Sequence, residues 1–474
     1  MMKPRKLIGD KKFYISVLAI ALPIMLQNGI TNLVNFLDNF MVGLIGTEEM
    51  SAVGIVNQLI FVFNLFIFGA VSGAGIFTAQ YFGRGDENGI RYTFRFKLVV
   101  CAVITIVAIL LFTLAKEGLI SLFINEGSLE GDLELTLYFA KRYIRIAIIG
   151  LVPYALCQCY SDTLRQIGQT VMPMVAGAIA VGVNFILNYL LIFGKLGLPK
   201  LGVDGAAIAT VIARFIECIV VVVYTHLKSK KYTFIQGAYT KFSLPLSKFL
   251  EIGTRALPLF VNEALWSLGM TMLLRCYSVK GLAVFAGFNI ASTIQNVFNI
   301  SFLSLGNAVG IMVGYHLGAG DFEKAKDCDT KMIAFSVFVS FIFGIVMFAV
   351  SPAIVSIYTE VTKEAREVAK YCLMIMSVNL PVQAFLHSSY FTLRSGGKTL
   401  VTFIFDSVFV WSVSVPLALF LVTFTSLSIY SIYPIVLSVD LIKCVVGFVL
   451  VKKGVWINNI AQTKNNQNEQ EVLI

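Results

Sequence analysis

Few side chains in this 474-residue sequence could do chemistry, and two of them are carboxylates set among apolar residues. Asp38 lies near the end of one apolar run, and Glu263 lies five residues after Pro258 in another. An ionisable group at bilayer depth costs about 2.5–3.5 kcal/mol on insertion scales, so each needs an explanation. Burial penalises a charged carboxylate and a bound cation restores it, so such a group can exchange a proton or hold Na⁺. The alternative for Asp38 is an interfacial residue at the outer end of its span. Asn184 and Asn188 are four apart and therefore stack on one helix face. Their side-chain oxygens beside a carboxylate would suit a hard monovalent cation, or simply a hydrogen-bonded helix contact.

Other polar groups read as structural. Arg214 and Glu217 are three apart on one helix, as are Asp440 and Lys443, and such pairs neutralise each other. Asp406 and His387 have no partner in sequence, and Arg255 is the one base within two turns N-terminal to Glu263. No Walker motif, HExxH or nucleophile triad is present, so ATP-driven transport and hydrolysis are not expected. The expectation is a protein that is not an enzyme and carries no cofactor.

The elements that position these groups follow from composition. The chain is 57% hydrophobic and only 14% charged, with a mean hydropathy of +0.82. A soluble protein carries about 25% charged residues, so too few charges remain to cover a water-facing surface. The net charge of +10 comes from short basic clusters between apolar runs, which points to anionic lipid rather than nucleic acid. The eight cysteines are scattered, and Cys157 and Cys159 have neither redox nor zinc spacing; all read as small core hydrophobes.

A bilayer needs roughly 20 apolar residues per helix. Twelve runs qualify, at 14–38, 52–80, 97–123, 139–161, 171–194, 204–227, 252–276, 284–314, 332–358, 368–393, 400–423 and 426–451. They lack the alternation of a membrane barrel, so the fold class expected is an all-α membrane protein with twelve transmembrane helices. With the N-terminus inside, 23 Lys and Arg fall on the inner side and 11 on the outer. That bias predicts a multi-pass protein of the cell membrane with both termini cytoplasmic. The basic prefix (Lys3, Arg5, Lys6, Lys11, Lys12) reads as a cytoplasmic anchor rather than a cleavable signal.

The chain also repeats itself. Ala21-Leu22-Pro23 returns as Ala256-Leu257-Pro258, Val62-Phe63-Asn64 as Val297-Phe298-Asn299, and Gly83-x-Gly85-Asp86 as Gly318-x-Gly320-Asp321. The offset is 235 each time, and Leu164-Arg165 with Leu393-Arg394 extends the match at a slightly shifted spacing. Glu263 occupies the repeat position of Asn28. Two six-helix halves inserted in the same sense are related by a pseudo-twofold axis along the membrane normal. Repeats of this kind enclose a cavity that opens alternately to each side. The expected layout is an N-terminal lobe at 1–227, a cytoplasmic linker at 228–250, a C-terminal lobe at 251–452 and a polar tail at 453–474.

Three motifs carry a resemblance: Ala21-Leu-Pro with Asp38-Asn-Phe-Met-Val-Gly43, the Gly83-Arg-Gly-Asp86 loop, and Gly202-Val-Asp-Gly-Ala-Ala-Ile-Ala-Thr210. Together they resemble the multidrug and toxin extrusion (MATE) transporters, of the NorM- and DinF-like bacterial branches, over nearly the whole chain. The resemblance implies an antiporter that expels amphipathic, often cationic, organic compounds in exchange for Na⁺ or H⁺. It implies that Asn184, Asn188 and Thr210 surround Asp38, with Na⁺ held at Asp38, Asn184 and Asn188, and that Glu263 serves cation coupling. The NorM-like branch has a second acid on the tenth span, where this chain reads Leu380-Pro-Val-Gln383. A monomer in the bilayer is expected, with small organic cations and no nucleic acid as partners. The alternative is a flippase for lipid-linked oligosaccharides or precursors from the same superfamily.

Overall fold

The computed structural model describes residues 7–121, 132–239, 244–359 and 361–462. Lys3, Arg5, Lys6, the end of the third apolar run, and parts of the linker and tail lie outside them. Twelve helices are long and apolar enough to cross a membrane, and no strand occurs among the described residues. They are α1 (Lys11–Gly43), α2 (Thr47–Arg84), α3 (Glu87–Leu114), α4 (Leu133–Gln166), α5 (Val171–Phe193) and α6 (Val203–Leu227). Then come α7 (Leu246–Ser278), α8 (Leu282–Gly318), α9 (Phe322–Ser356), α10 (Lys363–Ser395), α11 (Thr399–Phe424) and α12 (Ile429–Lys452).

Several helices outrun their apolar cores because polar residues continue them. The ninth run begins at 332, yet α9 starts ten residues earlier: Asp321 caps it by accepting from Lys324 N at 3.2 Å, and Lys331 pairs with Asp327 one turn away. Two helices are locally irregular. α11 carries π-helical turns at Ile404–Val408 and Val410–Ser414. α12 tightens at Val439, whose φ −61° and ψ −26° stay helical while its N–H bonds Val436 O at 3.4 Å, and Pro434 lies one turn earlier. Proline lacks an N–H and so frees the carbonyl of Tyr430; Tyr371 Oη donates to that oxygen at 2.6 Å.

The repeat is visible in the helix ends. Gly85 and Gly320 both take left-handed conformations, φ 76° and 77°. Asp86 N then reaches back to Tyr81 O at 2.9 Å, and Asp321 N to His316 O at 3.0 Å, closing both helices alike. The shifted match behaves the same way: Gly168 and Gly397 are left-handed, and Gln169 N and Lys398 N return to Leu164 O and Leu393 O.

By their internal contacts the residues form two compact units. One is Leu26–Thr78 with Glu87–Gly253; the other is Met1–Met25 with Ala79–Asp86 and Thr254–Ile474. In the first, the Lys97 ammonium on α3 is fully buried against Asp162 of α4 at 2.7 Å. Residues read from sequence as linker are docked there: Arg95 donates to Gly237 O (2.8 Å) and Ala238 O (3.0 Å), and Phe94 packs on Phe234 and Tyr239.

In the second unit α8, α9 and α10 pack together, and the chain beyond α12 folds back onto their ends. Trp456 is buried, Asn459 donates to Gly318 O at 3.1 Å, and Ile460 N donates to Gln80 Oε1 at 2.7 Å. Gln80 in turn donates to Ser395 O and Asn458 O. A Cβ on Gly318 would lie 1.9 Å from Gln80 O, so only glycine fits. The described start of the presumed polar tail is therefore packed structure.

Candidate ion-coupling site

Three helices of the first unit bring the sequence-selected polar residues together. α1 ends at Gly43 and carries Asp38 in its last turns; α5 carries Asn184 and Asn188. α6 opens with Gly205-Ala206-Ala207, whose small side chains admit close approach. A Cβ on Gly205 would stand 2.7 Å from the Leu191 carbonyl group, so α6 lies directly against α5. That approach sets Thr210 beside Asn184.

The result is a chain of hydrogen bonds. Asn188 Nδ2 donates to Asp38 Oδ1 at 2.5 Å and to Asn184 Oδ1 at 3.1 Å, and Asn184 Nδ2 donates to Thr210 Oγ1 at 3.3 Å. Both asparagines are buried, Asn188 to 1% exposure. Asn188 Oδ1 is buried too and has no hydrogen-bond partner among the described residues. Such an oxygen loses its water without a replacement donor, which costs about 1–3 kcal/mol. The donor set (a carboxylate, amide oxygens and a hydroxyl) is that of a hard cation. Among the described residues no three His, Cys, Asp or Glu side chains gather as a transition-metal site needs.

Two neighbours were not assigned to this site from sequence: Tyr143, which was not singled out, and Arg214, which was read only as the partner of Glu217, a pairing the structure contains. The buried Tyr143 hydroxyl bonds with Thr210. Arg214, the cation that acts on Asp38, pairs with Glu217 at 3.2 Å and lies over the Tyr154 ring at 4.9 Å. Arg214 stands four residues after Thr210, so helix periodicity could have placed it on the same face; nothing in sequence marks Tyr143.

Glu263 belongs to the other unit and has its own surroundings. Arg394 and Asp406 are the charges acting on it, not Arg255. The preceding Asn262 is buried and donates to Asp406 Oδ2 (3.2 Å) and Tyr390 Oη (3.3 Å), while Ser407 Oγ donates to Asn262 Oδ1 at 2.7 Å. Here the sequence pairing is corrected. Lys443 bridges Asp406 Oδ1 at 3.2 Å rather than Asp440, and Asp440 accepts from Gln383 Nε2 at 2.7 Å. Spacing along one helix cannot see a partner on another. His387, also unpaired in sequence, bonds through Nδ1 to Gln383 O at 3.1 Å and packs on Phe302.

The sequence model of the MatE family matches residues 23–190 and again 258–420, two stretches that begin 235 residues apart. The chain belongs to the MatE family. Curated relatives include the "Probable multidrug resistance protein NorM" of Thermotoga maritima, 24% identical over 96% of this chain and 95% of its own length. The "Probable multidrug resistance protein YoeA" of Bacillus subtilis is 25% identical over 93% and 94%. Among solved structures, an outward-facing multidrug resistance MATE family transporter superposes with a TM-score of 0.83 at 19% identity, covering 94% and 96%. A superfamily transporter from Pyrococcus furiosus, described as having a binding pocket of reverse polarity, superposes at 0.82 and 20% identity, covering 96% and 98%. At these identities the superpositions establish the fold. This MatE protein is a multi-pass membrane protein, with twelve helices among its described residues long and apolar enough to span the bilayer.

Proposed function

We propose that this protein is a secondary active antiporter that exports amphipathic, often cationic, organic compounds in exchange for inward Na⁺ or H⁺. Asp38 is the coupling carboxylate, and Asn184, Asn188 and Thr210 supply its oxygen partners. The names of the curated relatives, probable multidrug resistance proteins, support the multidrug part of this reading. The observation that carries the coupling part is the Asn188 amide: its N–H groups are committed to Asp38 and Asn184, and its buried oxygen is left for a cation. A cation there would satisfy that oxygen and neutralise Asp38 together. A ligand shifts a conformational equilibrium only by its differential affinity for the two states, and a neutralised buried carboxylate supplies such a difference.

The energetics limit the stoichiometry. A potential of about 100 mV is worth about 2.3 kcal/mol per charge, and a tenfold ion gradient adds about 1.4. One coupled ion therefore sustains roughly a few-hundred-fold gradient of a neutral substrate, but only about tenfold for a monovalent cation, because the electrical work cancels. Export of cations calls for more than one coupled charge, and Glu263 is a candidate for the second. The test is dye efflux from vesicles of reconstituted protein under imposed Na⁺ or pH gradients. Asp38→Asn is expected to abolish gradient-driven efflux while the protein remains folded; unaltered efflux refutes the assignment.

A further inference from the structure

Within the first unit, Arg214 faces two carboxylates: Glu217 on its own helix and Asp38 on α1. α6 carries Thr210, Arg214 and Glu217 at spacings of four and three, so all three lie on one helix face. Thr210 is bonded to Asn184, and through Asn188 to Asp38. Arg214 comes one turn, about 6 Å, further along that face. The charges of Asp38 and Arg214 both act on Tyr143 of α4, whose hydroxyl meets Thr210.

The guanidinium and its present partner are held differently. Glu217 is 7% exposed and packed: a Cβ on Gly177 of α5 would meet its Oε1 at 3.8 Å and the Gln27 side chain of α1 at 3.5 Å. Gln27 in turn accepts from Arg165 at 2.8 Å. The Arg214 side chain keeps 34% exposure while touching Glu217 at 3.2 Å and lying over the Tyr154 ring at 4.9 Å. It therefore has room to change rotamer, which a close-packed side chain lacks. Asn188 engages Asp38 Oδ1, and Oδ2 has no hydrogen-bond partner among the described residues. A guanidinium is a planar fork that suits a carboxylate, and one fork makes its close contact with one of the two at a time. A coupling ion on Asp38 and Arg214 on Asp38 are then alternatives.

We propose that Arg214 alternates between Glu217 and Asp38, pairing with Asp38 once the coupling ion has left and returning to Glu217 when an ion arrives. This deepens the antiporter reading and rests on it. Arg214 is a positioning residue: it promotes release of the ion by replacing it, and it keeps Asp38 compensated while the site is empty. Glu217 is its resting partner and sets how strongly it competes. The charged and titratable groups around the pair are Asp38 from α1, Tyr143, Tyr154, Cys157 and Arg165 from α4, and Cys218 from α6. α5 contributes the neutral Asn184 and Asn188.

Ethidium efflux from proteoliposomes tests this, with Na⁺ and pH gradients imposed separately. The readout is the half-saturating concentration of whichever ion drives export. A nearby opposite charge changes the affinity of a carboxylate for a cation by about 10–1,000-fold. Arg214→Gln removes the competitor and is expected to lower half-saturation by about tenfold or more, with slower turnover. Glu217→Gln leaves Arg214 with Asp38 alone and is expected to raise it by a similar factor. Arg214→Lys restores a cation and is expected to bring the value back towards wild type. The double variant Arg214→Gln with Glu217→Gln leaves neither charge unpaired, so it covers the case in which a single variant does not fold. It is expected to lower half-saturation as Arg214→Gln does.

A merely structural ion pair would weaken ion binding in both single variants. Shifts of the same sign in the two, or a double variant at the wild-type value, overturn the alternation. Wild-type efflux indifferent to every ion gradient would instead refute the antiporter reading. Efflux uncoupled by Asp38→Asn, with half-saturation untouched by the Arg214 and Glu217 variants, would refute the alternation alone.

Discussion

Replacing Lys97 by Met tests how the first unit is held together. The Lys97 side chain is fully buried, and its three N–H groups have three partners: Asp162 Oδ2 at 2.7 Å, Thr163 Oγ1 at 3.1 Å and Thr78 Oγ1 at 3.2 Å. Methionine keeps the apolar stem and its volume, so the cavity left behind is small. What is lost is the charge, which strands the Asp162 carboxylate at 7% exposure. Breaking one side of a buried ion pair costs about 3–5 kcal/mol, because the remaining charge is uncompensated. At about 2–4 °C per kcal/mol for a unit of 150–250 residues, the melting temperature should fall by roughly 6–20 °C. Removing both charges in Lys97→Met with Asp162→Leu should recover most of that loss, since apolar replacement of a whole buried pair is often neutral. Thermal unfolding of the purified single and double variants provides the comparison. A single variant within about 2 °C of wild type, or a double variant no better than the single, would refute the reasoning.

Three further outcomes are expected. Asn188→Ala removes the amide that organises Asp38 and Asn184, and should raise the half-saturating Na⁺ concentration of efflux by about 10–100-fold; an unchanged value in a sodium titration contradicts the site. Gly318→Val should yield no correctly folded protein by size-exclusion chromatography, because its first side-chain carbon would overlap Gln80 O, and recovery of monodisperse protein would show that the helices part at no cost. The third concerns pH. Lys324, through its ammonium and backbone N–H, holds the exposed Asp321 carboxyl below its ordinary value. The cap on α9 is therefore intact above the usual carboxylate range and lost as pH falls through the lower folded value. Amide exchange in the first turn of α9 should accelerate over that acid window, after correction for the intrinsic rate, and Asp321→Ala should abolish the dependence.

Much of the architecture was legible because lipid imposes a crude rule: twelve apolar runs became twelve helices. The Gly-x-Gly-Asp copies at 83–86 and 318–321 were legible in more detail, since a left-handed glycine ending a helix is a local event. Asp38, Asn184, Asn188 and Thr210 lie on three different helices, and the resemblance, not spacing, put them together. Spacing failed at Lys443 because a partner three residues away on its own helix competes with one 37 residues away in sequence, and packing decided for Asp406. Lys97 and Asp162 were missed for the same reason. The stretch read as a linker at 228–250 held a feature its composition did not reveal: the carbonyl groups of residues 233, 234, 237 and 238 are gripped by Arg91 and Arg95. A backbone acceptor leaves no mark in a side-chain pattern.

The clasp around Gln80 has a consequence for how the protein is made. Its fully buried amide is satisfied by residues 378 and 380 positions further along the chain. A ribosome adding about 5–20 residues per second delivers those partners roughly 20–80 s after Gln80 has been threaded into the bilayer. During that interval the C-terminal end of the second helix lacks the contacts with Asn458 and Ile460 that finally fasten it. A chain cut short just before Trp456 would keep the spans up to Lys452 but lack the partners Asn458 and Ile460 that fasten Gln80.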